Sequence, residues 1–148
     1  MYKVAKEIKW EAAHRLFGYE GPCSNIHGHS YKAVFTFEAE ELDEMGMVLD
    51  FSYIKKEVTN WIDVHWDHSL ILCEKDPLVL LLSEKTKIFT LQNNPTAENM
   101  AKYLFDFFYD VDNWVGFRFG GIPQNISKIK FVSVEVFETI TSSAIYEK

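Results

Sequence analysis

Four side chains able to do chemistry lie close together in the sequence. The run Cys23-Ser24-Asn25-Ile26-His27-Gly28-His29 follows shortly after His14, so three of the chain's five histidines fall in one short span. His27 and His29 are two residues apart, and the run after them reads as a β-strand. Residues i and i+2 of a strand share a face, so both imidazoles can converge on one point. His14 ends a separate strand-like run and can bring a third nitrogen from a neighbouring strand, and Gly28 allows close backbone approach. Three neutral imidazoles suit a catalytic zinc site, in which the fourth position is left for water or substrate. Cys23, four residues before His27, can be a fourth ligand or a reactive thiol beside the metal. The first alternative is a closed structural site, the second an enzyme.

Other candidates are less self-evident. Asp67-His68 sets a carboxylate beside an imidazole, a pairing that can orient the ring and raise its basicity. Sequence neighbours on an extended segment point apart, however, so a plain turn after a helix is the competing reading. Glu138 shares the even parity of Val134 and Val136, and it either anchors a ligand donor or reaches solvent. Cys73 reads as inert and His65 as a surface residue.

Alternation defines the elements that must position these groups. Tyr2, Val4, Ile8, Trp10 and Ala12 form the apolar side of one strand, and His14 continues that side. Gly18, Gly21 and Pro22 mark a loop. From His29 to Ala39, Tyr31, Ala33, Phe35 and Phe37 share a face with His29. Glu40–Gly46 is an acidic turn. Phe51, Ile54, Val58, Trp61 and Ile62 recur at helical spacing, with Asp50 or Ser52 as cap. Pro77–Leu82 is expected to form a helical turn and Lys87–Leu91 a short strand. Asn94-Pro95-Thr96-Ala97-Glu98 starts a second helix, with Pro95 excluding the α conformation before it, Thr96 capping, and Glu98 at the positive end of the helix dipole. Its apolar face is Ala101, Leu104, Phe105 and Phe108. Gly116, Gly120, Gly121 and Pro123 then break the chain. A strand from Lys128 to Thr139 follows, in which Val132, Val134 and Val136 share a side, and Ser142–Tyr146 forms the last strand.

These elements predict an α+β fold: a four-stranded antiparallel sheet with two helices packed on one face. The open edges of so small a sheet favour an oligomer. At 148 residues the chain is expected to be one domain, 1–148, and its 47% hydrophobic content fits a packed core. A formal charge of −7 disfavours nucleic acid as a partner. A charged N-terminal stretch and the lack of a roughly 20-residue apolar run predict a cytoplasmic protein without a membrane segment.

Six motifs in order carry a family resemblance. They are Trp-Glu-Ala-Ala-His-Arg-Leu (Trp10–Leu16), Cys-x-x-x-His-Gly-His-Ser (Cys23–Ser30), Val-x-Asp-Phe (Val48–Phe51), Asp-His-x-x-Ile (Asp67–Ile71), Asn-Pro-Thr-Ala-Glu-Asn (Asn94–Asn99) and Val-x-Glu-Thr (Val136–Thr139). Together they resemble the 6-pyruvoyl-tetrahydropterin synthase superfamily, and within it the bacterial 6-carboxy-5,6,7,8-tetrahydropterin synthases of queuosine biosynthesis. The resemblance spans nearly the whole chain. The Asp-His element departs slightly, with Trp66 before it and Ile71 after it where that branch usually has leucines, and 73–93 and 111–127 are longer than in the shortest members.

The resemblance implies roles for particular residues. His14, His27 and His29 would bind zinc, Cys23 would be the catalytic base, and Asp67 with His68 a second acid–base pair. Glu138 would hold the guanidine-like edge of a pterin, with Thr139 beside it, and Glu98 would approach the pterin of a neighbouring subunit. The implied assembly is a homohexamer, a dimer of trimers with active sites at subunit interfaces. The implied substrate is 7,8-dihydroneopterin triphosphate, converted with loss of triphosphate and acetaldehyde to 6-carboxy-5,6,7,8-tetrahydropterin. A 6-pyruvoyl product without side-chain cleavage is one alternative, and a non-catalytic zinc- or pterin-binding module another.

Overall fold

The structure is a computed structural model that describes residues 1–109 and 129–148. The expected break at Gly116, Gly120, Gly121 and Pro123, and Lys128 at the expected start of a strand, lie outside the described residues.

Two long strands, β1 (Tyr2–His14) and β2 (His27–Ala39), form the centre as an antiparallel pair. Helix α1 (Phe51–His65) follows, then β3 (Ser69–Cys73), the five-residue α2 (Leu78–Leu82), β4 (Ile88–Leu91), helix α3 (Ala97–Tyr109), β5 (Lys130–Thr139) and β6 (Ser142–Glu147). The sheet order is β4-β3-β1-β2-β5-β6. The expected four antiparallel strands are therefore six in a mixed sheet, because β3 pairs parallel with β1 and β4 parallel with β3. The short strand and helical turn expected between 77 and 91 are both present, as β4 and α2. The strand missing from the sequence reading is β3. All five of its residues are buried, so it lacks the alternation that marks a half-exposed strand.

Helices α1 and α3 contribute to a single core with the strands. Ile54, Val58, Trp61 and Ile62 of α1, and Met100, Ala101, Leu104, Phe105 and Phe108 of α3, cluster with Ile8, Trp10, Tyr31, Phe35 and Phe37. Asp50 caps α1 by accepting from the Ser52 N–H at 2.7 Å. Thr96 takes the same role before α3, accepting the Asn99 N–H at 3.3 Å. One bulge changes the face expected for β5. Its register against β2 slips between Thr36 and Phe37, so that Phe131, and not Val132, joins the core beside Val134 and Val136. Phe131 stacks on Phe105 at 4.8 Å and on Phe37 at 4.9 Å between ring centroids.

Candidate functional site

The β1–β2 register assembles the histidines. His14 lies directly opposite His27, and Ala12 opposite His29, so all three imidazoles leave the same face at one end of the strand pair. Gly28 lies between them, where an added Cβ would come 3.2 Å from the Ala12 carbonyl oxygen; a side chain there would push the strands apart.

Main-chain carbonyls hold two of the rings. His14 Nδ1 is 2.7 Å from the Pro95 oxygen, and His27 Nδ1 is 2.8 Å from the Asn25 oxygen. A carbonyl only accepts, so each Nδ1 carries a proton, which leaves Nε2 as the nitrogen of each ring that can present a lone pair inward. The His14 and His27 Nε2 atoms lie 3.1 Å apart. Two lone pairs at that separation repel unless a cation or proton lies between them. The third ring adds an unmet need, since His29 Nε2 is buried without a hydrogen-bond partner among the described residues. One donor atom from each ring lies within 4.8 Å of the others, so the cluster can hold a metal ion. Zinc bound tetrahedrally by imidazoles, with bonds of about 2.0–2.1 Å, sets nitrogens roughly 3.3 Å apart, which is close to the His14–His27 separation.

Electrostatics favour the ligand form. Burial pushes His14 down to about 4, assisted by the neighbouring His27 and His29 and opposed by its bond to Pro95. Burial also lowers His29, against the pull of the Glu138 carboxylate. Both rings are therefore neutral near pH 7, as metal binding requires. Glu138 Oε1 is 4.0 Å from His14 Nε2. Its side chain stands at the rim of the cluster, beside a register shift between Phe137 and Thr139 in the β5–β6 pairing. Beneath the rings lies Tyr31, fully buried, stacked on Trp10 and with its hydroxyl unpartnered among the described residues.

Cys23 occupies a 3₁₀ turn, Pro22–Ser24, and is half-buried. It is not a member of the donor cluster found among the described residues. Its loop is closed by the Leu16 N–H donating to the Cys23 oxygen at 2.8 Å. Glu98 is exposed in the first turn of α3, three residues beyond the carbonyl that fixes His14. Thr139 is exposed at the β5–β6 turn, its hydroxyl 3.3 Å from that of Thr141.

Asp67 and His68 do meet. The Asp67 Oδ2 to His68 Nδ1 distance is 2.7 Å. The objection that sequence neighbours diverge fails because His68 has φ +54, outside the extended region. Main-chain bonds hold the unusual turn: the Glu11 N–H donates to Asp67 Oδ1 at 2.9 Å, and the His68 N–H to the Glu11 oxygen at 2.7 Å. Burial pushes the Asp67 carboxyl up, but the Glu11 N–H, His68 and Lys87 outweigh it and leave the carboxyl below its ordinary value. His68 lines an open cleft of about 500 Å³. Glu11, Ala13, Gly28 and Ser30, which line it too, have the opposite parity to His14 and His27, while Ala12 and His29 also reach it. Within one chain, then, His68 opens on the Glu11–Ser30 side of the β1–β2 ribbon, whereas His14 and His27 of the three-imidazole cluster face the other side.

Several contributors had no side-chain signal in the sequence. The carbonyls of Pro95 and Asn25 are main-chain groups. The Asn94-Pro95 dipeptide reads as a helix start, and only the fold shows Pro95 against His14.

Comparison with known proteins closes the question of kinship. The family profile described as 6-pyruvoyl tetrahydropterin synthase matches residues 3–148. A 6-carboxy-5,6,7,8-tetrahydropterin synthase of Rickettsia bellii is 41% identical over 107 residues, covering 70% of this chain and 78% of the relative. One from Aquifex aeolicus is 31% identical, with 99% of this chain and 98% of the relative covered. Among solved structures, an uncharacterized protein from Wolinella succinogenes superposes with a TM-score of 0.79 at 23% identity, covering 99% of this chain and 98% of the other. A 6-pyruvoyltetrahydropterin synthase of Plasmodium vivax superposes with a TM-score of 0.72 at 16% identity, covering 99% and 97%, which extends the likeness in fold. This chain belongs to the 6-pyruvoyl tetrahydropterin synthase family.

Proposed function

We propose that the protein is a zinc-dependent lyase converting 7,8-dihydroneopterin triphosphate and water to 6-carboxy-5,6,7,8-tetrahydropterin, acetaldehyde and triphosphate, as a step of queuosine biosynthesis. The carrying observation is the open donor set: three imidazoles that converge without the Cys23 thiol. A closed structural site would enlist that thiol. The printed names of the relatives favour the carboxy product over the pyruvoyl one.

The ion would act as a Lewis acid toward the two side-chain hydroxyls of the substrate, acidifying the adjacent C–H bonds. Residues of the chain do the rest. Cys23 would serve as the base that takes the proton from carbon. His68, steadied by Asp67, carries a proton on the other side of the substrate. Glu138 accepts paired N–H groups of the pterin, a bidentate contact suited to a planar edge, with Thr139 adjoining. Since His68 opens on one side of the ribbon and His14 and His27 face the other, a complete site calls for a second copy of the chain. Strands β4 and β6, the edges of the sheet among the described residues, offer the means of assembly, and a homohexamer with Glu98 reaching a neighbour's pterin is the proposed form. No helix among the described residues is long and apolar enough to cross a membrane, in keeping with the proposed cytoplasmic setting.

The test is a product assay on zinc-loaded protein given 7,8-dihydroneopterin triphosphate, with pterins and aldehydes identified by mass spectrometry. Carboxy-tetrahydropterin with acetaldehyde is expected. A pyruvoyl product without aldehyde would move the protein to the other branch, and intact substrate would leave a binding module. Cys23→Ala is expected to cut turnover by roughly 10²–10⁴-fold with zinc retained; loss of zinc would restore the closed site.

A further inference from the structure

The dipeptide Asn94-Pro95 touches both the loop that follows β1 and the His14 ring. The Asn94 amide pairs with the main chain of Phe17 in both directions: the Phe17 N–H donates to Asn94 Oδ1 at 2.8 Å, and Asn94 Nδ2 donates to the Phe17 oxygen at 2.9 Å. Phe17 follows Leu16, whose N–H closes the loop onto the Cys23 oxygen at 2.8 Å. The next residue, Pro95, supplies the carbonyl that receives His14 Nδ1 at 2.7 Å. Asn94 is itself anchored at the start of α3: Asn99 Nδ2 and the N–H of Thr96, the residue just before the helix, both donate to its carbonyl oxygen at 2.8 Å.

We propose that Asn94 is a positioning residue: its side chain, through the Phe17 main chain, sets the Cys23 loop against the His14 ring, which the Pro95 carbonyl holds. The two duties are chemically separable. The ring bond uses a carbonyl fixed by the start of α3, whereas the loop bonds use only the carboxamide. Asparagine suits the loop because one side chain must accept from an N–H and donate to a carbonyl across the same residue. Aspartate keeps the acceptor, loses the donor and sets a charge against the Phe17 oxygen. The catalytic consequence rests on the reading of Cys23 as the base; the mechanical one does not.

The experiment compares wild type, Asn94→Ala and Asn94→Asp as zinc-loaded proteins by three readouts. These are zinc affinity by chelator competition, the iodoacetamide alkylation rate of Cys23 read on its own peptide by mass spectrometry, and steady-state pterin turnover. Asn94→Ala is expected to keep zinc affinity within about threefold, since the Pro95 bond to the His14 ring survives. It should change the Cys23 alkylation rate about tenfold or more, because two hydrogen bonds restraining the loop are lost. It should also lower kcat by about 10–100-fold with a smaller change in KM. Asn94→Asp, close to isosteric, should fall between the two. Alkylation at the wild-type rate in both variants would overturn the proposal, as would zinc lost in step with activity. If wild type leaves the pterin intact, the functional reading fails, and alkylation with zinc affinity still decides the positioning role.

Discussion

The two histidine-bearing regions solve opposite problems. The metal face buries His14, pushes it down to about 4, and spends the Nδ1 protons of His14 and His27 on carbonyls so that the inner nitrogens stay bare. The outer pair leaves His68 open, with 79% of its side chain exposed, and ties it to a carboxylate through a left-handed backbone. Binding a cation needs rings that stay neutral and immobile, whereas carrying protons needs a ring that can change state and reach solvent or substrate. The same residue type is thus placed in contrasting environments, and the difference is set by strand parity on one side and by a single φ angle on the other.

The largest expected effect lies on the metal face. His27→Ala removes one of three donors, and zinc affinity should fall by well over the roughly 100-fold that follows loss of an outer partner. Chelator competition measures it. Stoichiometric zinc in the variant at micromolar chelator would break the comparison, because the metal would then lie elsewhere. His68→Ala in the same assay should leave the affinity unchanged, since its ring lies on the far side of the ribbon.

A different outcome is expected on the outer face. His68 holds an αL conformation that costs a non-glycine residue roughly 1–2 kcal/mol. His68→Gly should therefore raise stability by up to about 1 kcal/mol, read as a higher denaturant midpoint with an unchanged slope. If His68 carries the proton as proposed, turnover should fall by roughly 10²-fold or more. A variant both destabilised and active would mean that the strain serves folding and not chemistry. No equivalent gain is expected from His14, His27 or His29, which lie within regular strands.

How much of this was legible in the sequence follows from the same contrast. Alternation placed His14 with Ile8, Trp10 and Ala12, and His29 with Tyr31 and Phe35, and the register confirms that all three imidazoles share a face. Period-2 patterning survives wherever one side of a strand is wet. It fails at β3, buried throughout and paired parallel, and at Phe131, where a bulge moves the buried face from one parity to the other. It is also silent on the Asp67–His68 pair, because backbone sign is not written in side-chain type. Nor can it show that Pro95 and Asn25 contribute only carbonyl oxygens. The sequence motifs carried the family, while the separation of the two regions across the ribbon emerged only from the fold.

The smallest effect concerns the link between the regions. Arg15, next to His14, donates from Nε and Nη2 to the two Asp76 carboxylate oxygens at 2.6 and 2.5 Å. Asp76 lies beyond β3, the strand that begins just after His68, and its Oδ1 also accepts the Leu78 N–H at 2.9 Å. Its side chain is fully buried, so Asp76→Ala should cost about 2 kcal/mol at pH 7. The bonds from Arg15 hold the carboxyl below its ordinary value of 3.8, more than offsetting burial. A group depressed in the folded state contributes its stability fully above the unfolded value, and loses it as pH falls through the lower folded one. The difference between wild type and Asp76→Ala should therefore stay constant from pH 7 to about 5 and shrink only below about 4. Urea midpoints at several pH values measure it. A gap that closes between pH 7 and 5 would assign the stability to histidines, and the link between the two regions would then rest on the metal face itself.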